Sequence, residues 1–585
     1  MNRQIALIYL SILGGLILPK HSLSQDKIIY SIYKMERKIG TEEVLSTQAN
    51  GQVTDQINIV TNDRGADMAL NCLFTSNSEK TSYRSVGHTS RFKKEHADTT
   101  FITGTNFPIS DNGSIWMKSQ LLSFWLKNGK PKTIKSAWNG ELSTITKIAE
   151  ETDPLTQQTL SVIELKNQHN EILWINAEGH AVYLASCDTE GDKREIIDNK
   201  YLSFFNNFNI KSNEYLIETY RKANKSLAVS YENIVLTGGN VIDLADGGKI
   251  LYDNMLLIKN GKIEYIGKTD RQLIPEGAHV IDVTNKFLIP GLWNMHVHIF
   301  HPDYLKKELL TGVTSVRDMA NEFDFVSRLK KSIAEPHFPA PRLMTAGVID
   351  GNSKFSLGIV IATDDKTAKQ EVKRYYDTGF DQIKVYSYVK KNVLTAIVTE
   401  ANRYHMDVVG HLPVGYLLGT VVDNGIKSIS HIHYFMNSLK WGKDNLITDN
   451  KVLLDHIKEK NIYLDPTLNV YSLTGDPKIG NYKRILKQLH AYGIPVVAGT
   501  DNEGSLIQEL ESYVSLGFSP LEALQSATII PAKMMNMTHQ SGSLHQGKNS
   551  DILVLNANPL ENISALQQLN IIIKGQSIIM KEKEQ

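Results

Sequence analysis

Cysteine is almost absent from this sequence of 585 residues, which contains only Cys72 and Cys187. Two cysteines form at most one disulfide bond, so a small fold held together by several such bonds is excluded. An oxidising compartment could join Cys72 to Cys187, and two buried free thiols fit the sequence equally well.

Net charge is absent as well, because 63 lysine and arginine residues balance 63 aspartate and glutamate residues. The chain therefore has no basic excess that would favour nucleic acid or an anionic membrane surface. Its length exceeds what a single hydrophobic core supports, and we expect two or three domains of an ordinary soluble protein.

Long apolar runs are absent beyond the start of the chain. The exception, residues 5–19, follows Arg3 and precedes a short polar stretch with small residues. This layout predicts a secretory signal peptide over residues 1–24, cleaved before Gln25. A retained anchor is the alternative, although the run is shorter than the roughly 20 residues of a membrane-spanning helix. We expect a periplasmic or secreted protein, with no membrane insertion after cleavage.

Residues 25–225 contain short runs of alternating apolar and polar residues, as at 161–166, separated by Asn/Gly turns. This pattern predicts a separate N-terminal domain that is mainly antiparallel β. The spaced apolar residues of 201–223 predict a helix at its end, which places the domain boundary near Ser226.

A second set of β patterns lies on both sides of the central region, in residues 226–289 and 538–585. Within the first of these, Asn260-Gly261 stands between two strand patterns and predicts a hairpin. Because the two flanking segments can pair with each other, we expect one small β-sandwich built from both.

Between these flanks, residues 290–537 alternate short apolar runs with amphipathic segments, which predicts an α/β fold. Eight such runs are the number that a (β/α)8 TIM barrel requires. Ser519 with Pro520 and Glu522 forms a helix-starting capping box. An open doubly wound sheet would fit the alternation, but its glycine-rich phosphate loop is missing. The candidate strands are 288–298, 314–319, 342–349, 382–387, 406–412, 428–432, 462–467 and 495–501.

Side chains that bind metals stand at the ends of several candidate strands. His296 and His298 are two residues apart, so on a strand they point to the same side and can hold one ion. Such a pair alone is more often an ordinary surface or core feature. In a TIM barrel, however, active-site residues lie at the C-terminal strand ends. The other candidates at such ends are Lys384, His411, His431 and Asp501.

Lysine is normally a poor metal ligand because its amine is protonated near neutral pH. Lys384 lies in the apolar run 383–386, where desolvation would lower its pKa and favour the neutral amine. Carbon dioxide could then convert the amine to a carbamate that bridges two metal ions. A strand lysine paired with a nearby acid is the alternative.

Six short motifs follow one another in residues 231–561: Pro-Gly-Leu with His-Val-His at 290–298, Gly-Val-Thr-Ser-Val-Arg-Asp at 312–318, Ile-Lys-Val-Tyr at 383–386, Gly-His-Leu-Pro at 410–413, Gly-Thr-Asp at 499–501, and Ser-Gly-Ser-Leu leading to Gly-Lys-Asn-Ser-Asp at 541–551. In this order they resemble the metal-dependent amidohydrolase superfamily, most closely its imidazolonepropionase-like and Xaa-Pro dipeptidase-like branch.

The resemblance implies a complete set of metal ligands and a catalytic role for two of them. Zinc is the usual ion in relatives with this set. A water shared by two metals would supply a hydroxide nucleophile, and Asp501 would carry its proton to the leaving amine. His296, His298 and Asp501 would hold one ion, His411 and His431 the second, and carbamylated Lys384 would bridge both.

The sequence departs from the relatives at two positions. Asn294 stands where they commonly have Asp, and Ser430 stands where they commonly have Glu. Neither position is usually a metal ligand, so the departures affect the orientation of the ligands and the substrate contacts. His433 lies two residues beyond His431 and could face the same side.

Two further residues are candidates for substrate binding. Tyr386 follows Lys384 by two residues on one strand face, so its hydroxyl could contact the substrate, or its ring could simply pack. Arg317 ends the second candidate strand and could contact the substrate or form an ion pair with Asp318.

The leading hypothesis is an exported metal-dependent amidohydrolase that hydrolyses a C–N bond through a metal-bridging hydroxide. A small amide, cyclic amide or dipeptide is the expected substrate, with a dipeptide considered first. The alternative is an inactive barrel that binds glycan, peptide or envelope components, against which the intact Lys384 and Asp501 argue. The N-terminal domain could cover the barrel mouth, mediate assembly into a homo-oligomer, or tether a partner.

Overall fold

The computed structural model describes residues 26–579 except 91–92, 103–106, 108–112, 137–139, 168–169, 189–190, 336, 359, 441–445 and 502–503. The expected signal peptide, residues 1–24, lies outside the described residues. Within the described part, no helix combines the length and hydropathy that crossing a membrane requires.

The N-terminal region forms one antiparallel sheet of twelve described strands, as its alternating pattern predicts. Its spatial order is β6, β5, β4, β3, β2, β1, β12, β11, β10, β9, β8 and β7, so β1 and β12, the first and last strands of this sheet along the chain, pair at its centre. The strands are β1 Asp26–Lys34, β2 Arg37–Ala49, β3 Gln52–Asp63, β4 Ala66–Ser76, β5 Lys80–His88, β6 Lys94–Ile102, β7 Thr133–Lys135, β8 Leu142–Thr152, β9 Thr159–Lys166, β10 Asn170–Ile175, β11 Ala181–Cys187 and β12 Lys193–Asp198.

Two helices, α1 (Ile115–Lys127) and α2 (Phe205–Asn224), cover opposite faces of strands β9 to β11. Ile163 and Leu173 pack with α1, whereas their neighbours Val162 and Trp174 pack with α2. Successive side chains of a strand point to opposite faces, so these strands are buried on both sides. This explains why β10 and β11 are nearly continuous apolar runs, whereas β9 keeps polar residues among its apolar ones. The helix predicted over 201–223 is confirmed as α2.

A second sheet combines strands from both flanks of the barrel, which confirms the predicted pairing of the two segments. Its path is β13, β28, β27, β26, β18, β14, β15 and β16, with β17 also paired to β14. Asn260 and Gly261 both have positive φ and connect β15 to β16 as the predicted hairpin. The strands are β13 Ala228–Ser230, β14 Asn233–Asp243, β15 Lys249–Lys259, β16 Lys262–Lys268, β17 His279–Asp282, β18 Phe287–Pro290, β26 Ile552–Leu555, β27 Leu569–Lys574 and β28 Ser577–Ile579.

The central region forms a parallel barrel, as the eight apolar runs predict. Among the described residues, seven strands follow one another in chain order, and residues 495–501 bond to both the last and the first of them, which brings the sheet close to full closure. The strands are β19 Leu292–Val297, β20 Val313–Asp318, β21 Arg342–Ile349, β22 Gln382–Val385, β23 Asp407–Gly410, β24 Ile426–Ser430 and β25 Tyr463–Asp465.

Helices α3 to α14 belong to the barrel region. The last helices include the predicted capping box, in which Ser519 and Glu522 bond reciprocally at the start of α13. The helices are α3 Asp303–Leu310, α4 Phe323–Ile333, α5 Asp365–Thr378, α6 Lys391–Arg403, α7 Leu418–Asp423, α8 Ile432–Ser438, α9 Leu446–Glu459, α10 Leu468–Leu473, α11 Ile479–Tyr492, α12 Leu506–Ser515, α13 Pro520–Ser526 and α14 Ile529–Met534.

One predicted strand, 288–298, is in fact two strands in different sheets. β18 pairs with β26 of the flanking sheet, and β19 pairs with β20 of the barrel. The break falls at Gly291, where a Cβ atom would lie 2.2 Å from Oγ1 of Thr314. Only glycine allows this close approach, so the chain can pass there from the small sheet into the barrel.

Helix α2 joins the N-terminal domain to the barrel. Its Phe208 packs on the N-terminal sheet, whereas its Tyr220 lies in the barrel core and donates a hydrogen bond to the carbonyl of Pro339 at 2.6 Å. Lys193 of β12 reaches across the same boundary to form a buried ion pair with Glu322. The two domains therefore share buried apolar and charged contacts.

Both cysteines are buried free thiols in different apolar clusters. Of the two readings that the sequence allows, the structure therefore has the pair of free thiols. Cys72 accepts a hydrogen bond from the hydroxyl of Tyr83 at 3.4 Å, and burial raises the pKa of the Cys72 thiol to about 12.

Candidate active site at the barrel mouth

The polar side chains at the strand ends converge on one place. Nε2 of His298 lies 3.1 Å from Oδ1 of Asp501, and Nε2 of His296 lies 3.3 Å from the same oxygen. Nε2 of His431 lies 3.1 Å from Nε2 of His411. The rings of His296 and His431 are 4.9 Å apart, which links the two groups.

Lys384 lies in the same cluster. Its side chain is buried, and its charge acts electrostatically on His296, His411 and His431. Burial lowers the pKa of Lys384 to about 8, partly opposed by the charge of Asp501. A larger fraction of neutral amine is therefore present near pH 8 than for an exposed lysine, which is the form that reacts with carbon dioxide.

Each of the four imidazole rings uses its Nδ1 atom for a partner outside the cluster. An imidazole that binds a metal through one nitrogen usually donates its other N–H to a nearby oxygen, which fixes the ring. All four rings therefore direct Nε2 towards the centre. The Nδ1 partners are Oδ2 of Asp465 for His296 at 2.7 Å, the carbonyl of Ala320 for His298 at 2.9 Å, Oγ of Ser387 for His411 at 3.1 Å and Oγ1 of Thr467 for His431 at 2.9 Å.

These features fit a metal centre. Nε2 of His296 is buried and, despite the nearby Asp501, makes no hydrogen bond to any residue that the structure describes, a costly arrangement that a bound cation would relieve. His296, His431 and Asp501 offer ligand atoms that all lie within 4.8 Å of one another. Burial lowers the pKa of His296, His411 and His431, which favours the neutral imidazole that binds metals.

The backbone at the cluster is held in unusual conformations. His431 has a φ of 70° and Asp501 a φ of 52°, both in the left-handed region that non-glycine residues seldom adopt. Such strain persists where the surrounding structure enforces it, and it concentrates at functional sites. Here it turns the two side chains into the barrel mouth at the ends of their strands.

Asp465 is a residue of this site that the sequence analysis missed. It ends β25, is fully buried, and accepts from Nδ1 of His296, from Oγ of Ser430 at 3.2 Å and from the guanidinium of Arg317 at 3.3 Å. A charged residue inside the apolar candidate strand 462–467 was the sequence feature that could have revealed it. Its carboxylate orients the His296 ring through the bond at Nδ1.

The two predictions for Arg317 need correction. Its guanidinium is fully buried in the barrel interior, where Nε donates to the carbonyl of Met295 at 2.7 Å and Nη2 pairs with Asp465. A substrate therefore cannot reach it, and its ion-pair partner is not Asp318. Asp318 instead accepts backbone hydrogen bonds from Ile299 and Ala320, because neighbouring strand residues face opposite sides.

Tyr386 lies at the mouth, with its ring centroid 4.2 Å from that of His411. The ring of His433 stacks on that of His431, with centroids 5.7 Å apart, and its Nδ1 hydrogen-bonds with the hydroxyl of Tyr471 at 2.7 Å. The substituted position Asn294 donates to Oγ1 of Thr500 at 2.9 Å, next to Asp501 in the chain. This amide supports the loop that carries Asp501.

Residues 287–578 match the family described as the Amidohydrolase family. This part of the chain is an amidohydrolase domain. Members of the family are generally metal-dependent, in agreement with the donor set at its barrel mouth.

Relatives of this amidohydrolase differ in the reactions that their names describe. Adenine deaminase 1 of Desulfotalea psychrophila is 24% identical over 376 residues, which cover 60% of this chain and 58% of that enzyme. The dihydroorotase of Geobacter sulfurreducens is 37% identical over 81 residues, covering 14% of this chain and 18% of that enzyme. The chain thus matches less than two thirds of the length of these curated relatives.

Among solved structures, a Xaa-Pro dipeptidase with methionine bound in its active site has a similar fold. The TM-score is 0.51 at 19% sequence identity, over 60% of this chain and 100% of that one. At this identity the likeness shows the fold of the amidohydrolase part.

Proposed function

We propose that this protein is an exported metal-dependent amidohydrolase that hydrolyses a C–N bond in a small amide, cyclic amide or dipeptide. The observation that supports this proposal is that Nε2 of four imidazoles and the carboxylate of Asp501 lie close together at the barrel mouth, where the buried Lys384 acts on them electrostatically. Each of the four rings is oriented by a hydrogen bond at Nδ1, which leaves Nε2 available. This arrangement is typical of metal-binding histidines and is not required by a structural ion pair.

We expect these donor atoms to bind two metal ions. Zn²⁺ is the first ion to test, because it is commonly bound by nitrogen and oxygen ligands. When bound, the ions would lower the pKa of a shared water and polarise the carbonyl of the substrate. His296, His298 and Asp501 would hold one ion and His411 and His431 the other, and Lys384, once carbamylated, would supply a carboxylate to them.

Asp501 carries the proton in the proposed reaction. A water oxygen bonds to the carbonyl carbon while the Asp501 carboxylate takes its proton. When the C–N bond breaks, Asp501 returns that proton to the leaving nitrogen, which departs as an amine and leaves a carboxylic acid. In this proposal the hydroxyl of Tyr386 donates to the carbonyl oxygen, and Asp465, 2.7 Å from Nδ1 of His296, keeps that ring in its orientation.

The test uses the full mature chain purified with Zn²⁺ and bicarbonate and assayed against a dipeptide library. We expect about two ions per chain and hydrolysis of some members, and loss of both in His296→Ala/His298→Ala. The matched control is His456→Ala, which removes a histidine whose Nε2 pairs with Asp423 on the barrel surface. Full metal content in the double variant, or a metal-free inert wild type, would contradict the proposal.

Export is proposed from the N-terminal sequence pattern and has its own test. Expression of the full chain in a bacterial host with a periplasm, followed by fractionation and mass spectrometry, should yield an exported product that begins at Gln25. An intact N-terminus at Met1 in the cytoplasmic fraction would overturn the export proposal and leave the enzymatic one untouched.

A further inference from the structure

Hairpin turns of the N-terminal sheet lie against loops at the mouth of the barrel. Met35, between β1 and β2, packs in one apolar cluster with Phe300 and Tyr304. Gly65, between β3 and β4, lies so close to Phe355 that a Cβ atom there would be 2.3 Å from the ring. The N-terminal domain therefore reaches the edge of the proposed active site.

Charged residues next to these turns form a buried cluster. Nζ of Lys34 lies 2.9 Å from Asp63, 2.8 Å from Asp188 and 2.7 Å from Asp192. Arg64 bonds to Asp192 at 3.1 Å and to Asp63 at 3.3 Å. The guanidinium of Arg64 is thereby held in one orientation by two carboxylates from different turns.

That orientation brings Arg64 to the proposed substrate-binding tyrosine. Its guanidinium interacts electrostatically with the hydroxyl of Tyr386, whose ring centroid lies 4.2 Å from that of His411. Neighbouring residues extend this contact between the two domains. Phe355, whose ring lies against Gly65, also stacks on Tyr388, with ring centroids 6.1 Å apart. The turn thus meets the end of barrel strand β22 over several residues.

We infer that Arg64, supplied by the N-terminal domain, is a positioning residue for the barrel reaction that fixes the Tyr386 hydroxyl over the metal-binding cluster. This inference rests on the proposed hydrolase function. It assigns the N-terminal domain a direct part in the active site: the site is complete only when the domain is docked.

The alternative role for Arg64, binding a carboxylate of the substrate, does not fit the charges around it. The two cations of the cluster, Lys34 and Arg64, already face three carboxylates, so the cluster carries no excess positive charge. A planar guanidinium that spans two carboxylates and a phenol fits the task of holding a side chain in place.

The test is a double-mutant cycle with Arg64→Ala, Tyr386→Phe and the double variant, in the full chain with a substrate that the wild type hydrolyses. We expect each single variant to lower kcat by about 10- to 100-fold, because a small misplacement of a catalytic contact has this effect. The double variant should be no slower than the slower single variant, since both changes remove one interaction.

Two matched variants separate positioning from folding. Arg64→Lys keeps the positive charge of the cluster, so it should keep the melting temperature near that of the wild type while kcat still falls. Arg84→Ala removes an arginine of the same sheet whose exposed pair with Asp98 is remote from the barrel mouth, and kcat should not change. Metal content should stay at the wild-type level in all of these variants.

A crystal structure of Arg64→Ala gives a readout that needs no activity: the Tyr386 ring should leave its place 4.2 Å from His411. An unmoved ring, or additive effects in the cycle, would overturn the inference. A rise in KM restricted to substrates with a carboxylate would overturn it in favour of substrate recognition. A wild type that binds metal but hydrolyses nothing would remove the proposed function as well.

Discussion

The barrel mouth and the N-terminal domain both bury many charged and polar groups, but they satisfy them differently. In the N-terminal domain, Lys34 is surrounded by carboxylates of its own domain. At the barrel mouth, protein partners bond to Nδ1 of each of the four imidazoles, while Nε2 of His296 has no hydrogen-bond partner in the described part of the chain. Buried charges that pair with one another stabilise a docked structure, whereas polar atoms left facing a common centre indicate a ligand.

The largest effect should come from Asp501→Asn, which keeps the shape of the side chain but removes the proposed proton carrier. We expect kcat/KM to fall by at least about 10³-fold, because general acid–base catalysis contributes this much. The measurement is steady-state hydrolysis at matched metal content, with Asp455→Asn on the surface of α9 as the control. Activity within a factor of ten of the wild type would refute the role of Asp501.

Lys34→Met tests whether the buried charge cluster of the N-terminal domain stabilises the fold. It leaves Asp63, Asp188 and Asp192 without their shared cation, and removing one partner of a buried charge cluster typically costs about 3–5 kcal/mol. Urea denaturation should show this loss in the free energy of unfolding. The matched control on the same strand, Lys27→Met, breaks an exposed pair with Glu43 and should cost under about 1 kcal/mol. Equal effects of the two variants would contradict the account.

Asp465→Asn tests the contribution of the carboxylate that orients His296 in the proposed metal-binding cluster. We expect a loss of about 10- to 100-fold in metal affinity or activity, since the carboxylate that orients His296 is replaced by an amide. Zinc titration by isothermal calorimetry would measure it, with Asp381→Asn, at the far end of the barrel strands, as a comparison. Unchanged affinity and activity would mean that Asp465 acts only as the structural partner of Arg317.

Another prediction concerns the pH dependence of stability and Glu42 of the N-terminal domain. Glu42 is fully buried and accepts hydrogen bonds from Ser114, Ile115 and Trp116, and burial raises its pKa from 4.5 to about 7. Because the folded-state pKa is the higher one, its contribution to stability is complete below pH 4.5 and is lost as the pH rises to about 7.

The free energy of unfolding of the wild type should therefore fall across this window by up to about 1.4 kcal/mol per pH unit relative to Glu42→Gln. Urea titrations of both proteins at several pH values would measure the difference. Parallel profiles for the two proteins would show that Glu42 titrates alike in the folded and unfolded states.

Local patterns in the sequence were sufficient to predict the strands and the residues at their ends. Alternating and continuous apolar runs located the sheets, and His296, His298, Lys384, His411 and Asp501 could be named because strand ends share one side of a barrel. These inferences depend on spacing within a short stretch, which the sequence displays directly.

The predictions failed where a residue's surroundings come from distant parts of the chain. Arg317 and Asp465 pair across the barrel interior although they are 148 positions apart, so the local sequence around either residue does not predict the pair. The break at Gly291 depends on its contact with Thr314 of the next strand. The approach of Arg64 to Tyr386 depends on the docking of two domains, which alternation within either one does not encode.

We propose above that the barrel mouth binds two metal ions through six side chains. Anomalous diffraction at the zinc edge, from crystals grown with Zn²⁺ and bicarbonate, would locate these ions. We expect two peaks, one beside His296, His298 and Asp501 and one beside His411 and His431, with carbamate density on Lys384 between them. No peak at the mouth, or an unmodified Lys384 directed away from the histidines, would contradict it.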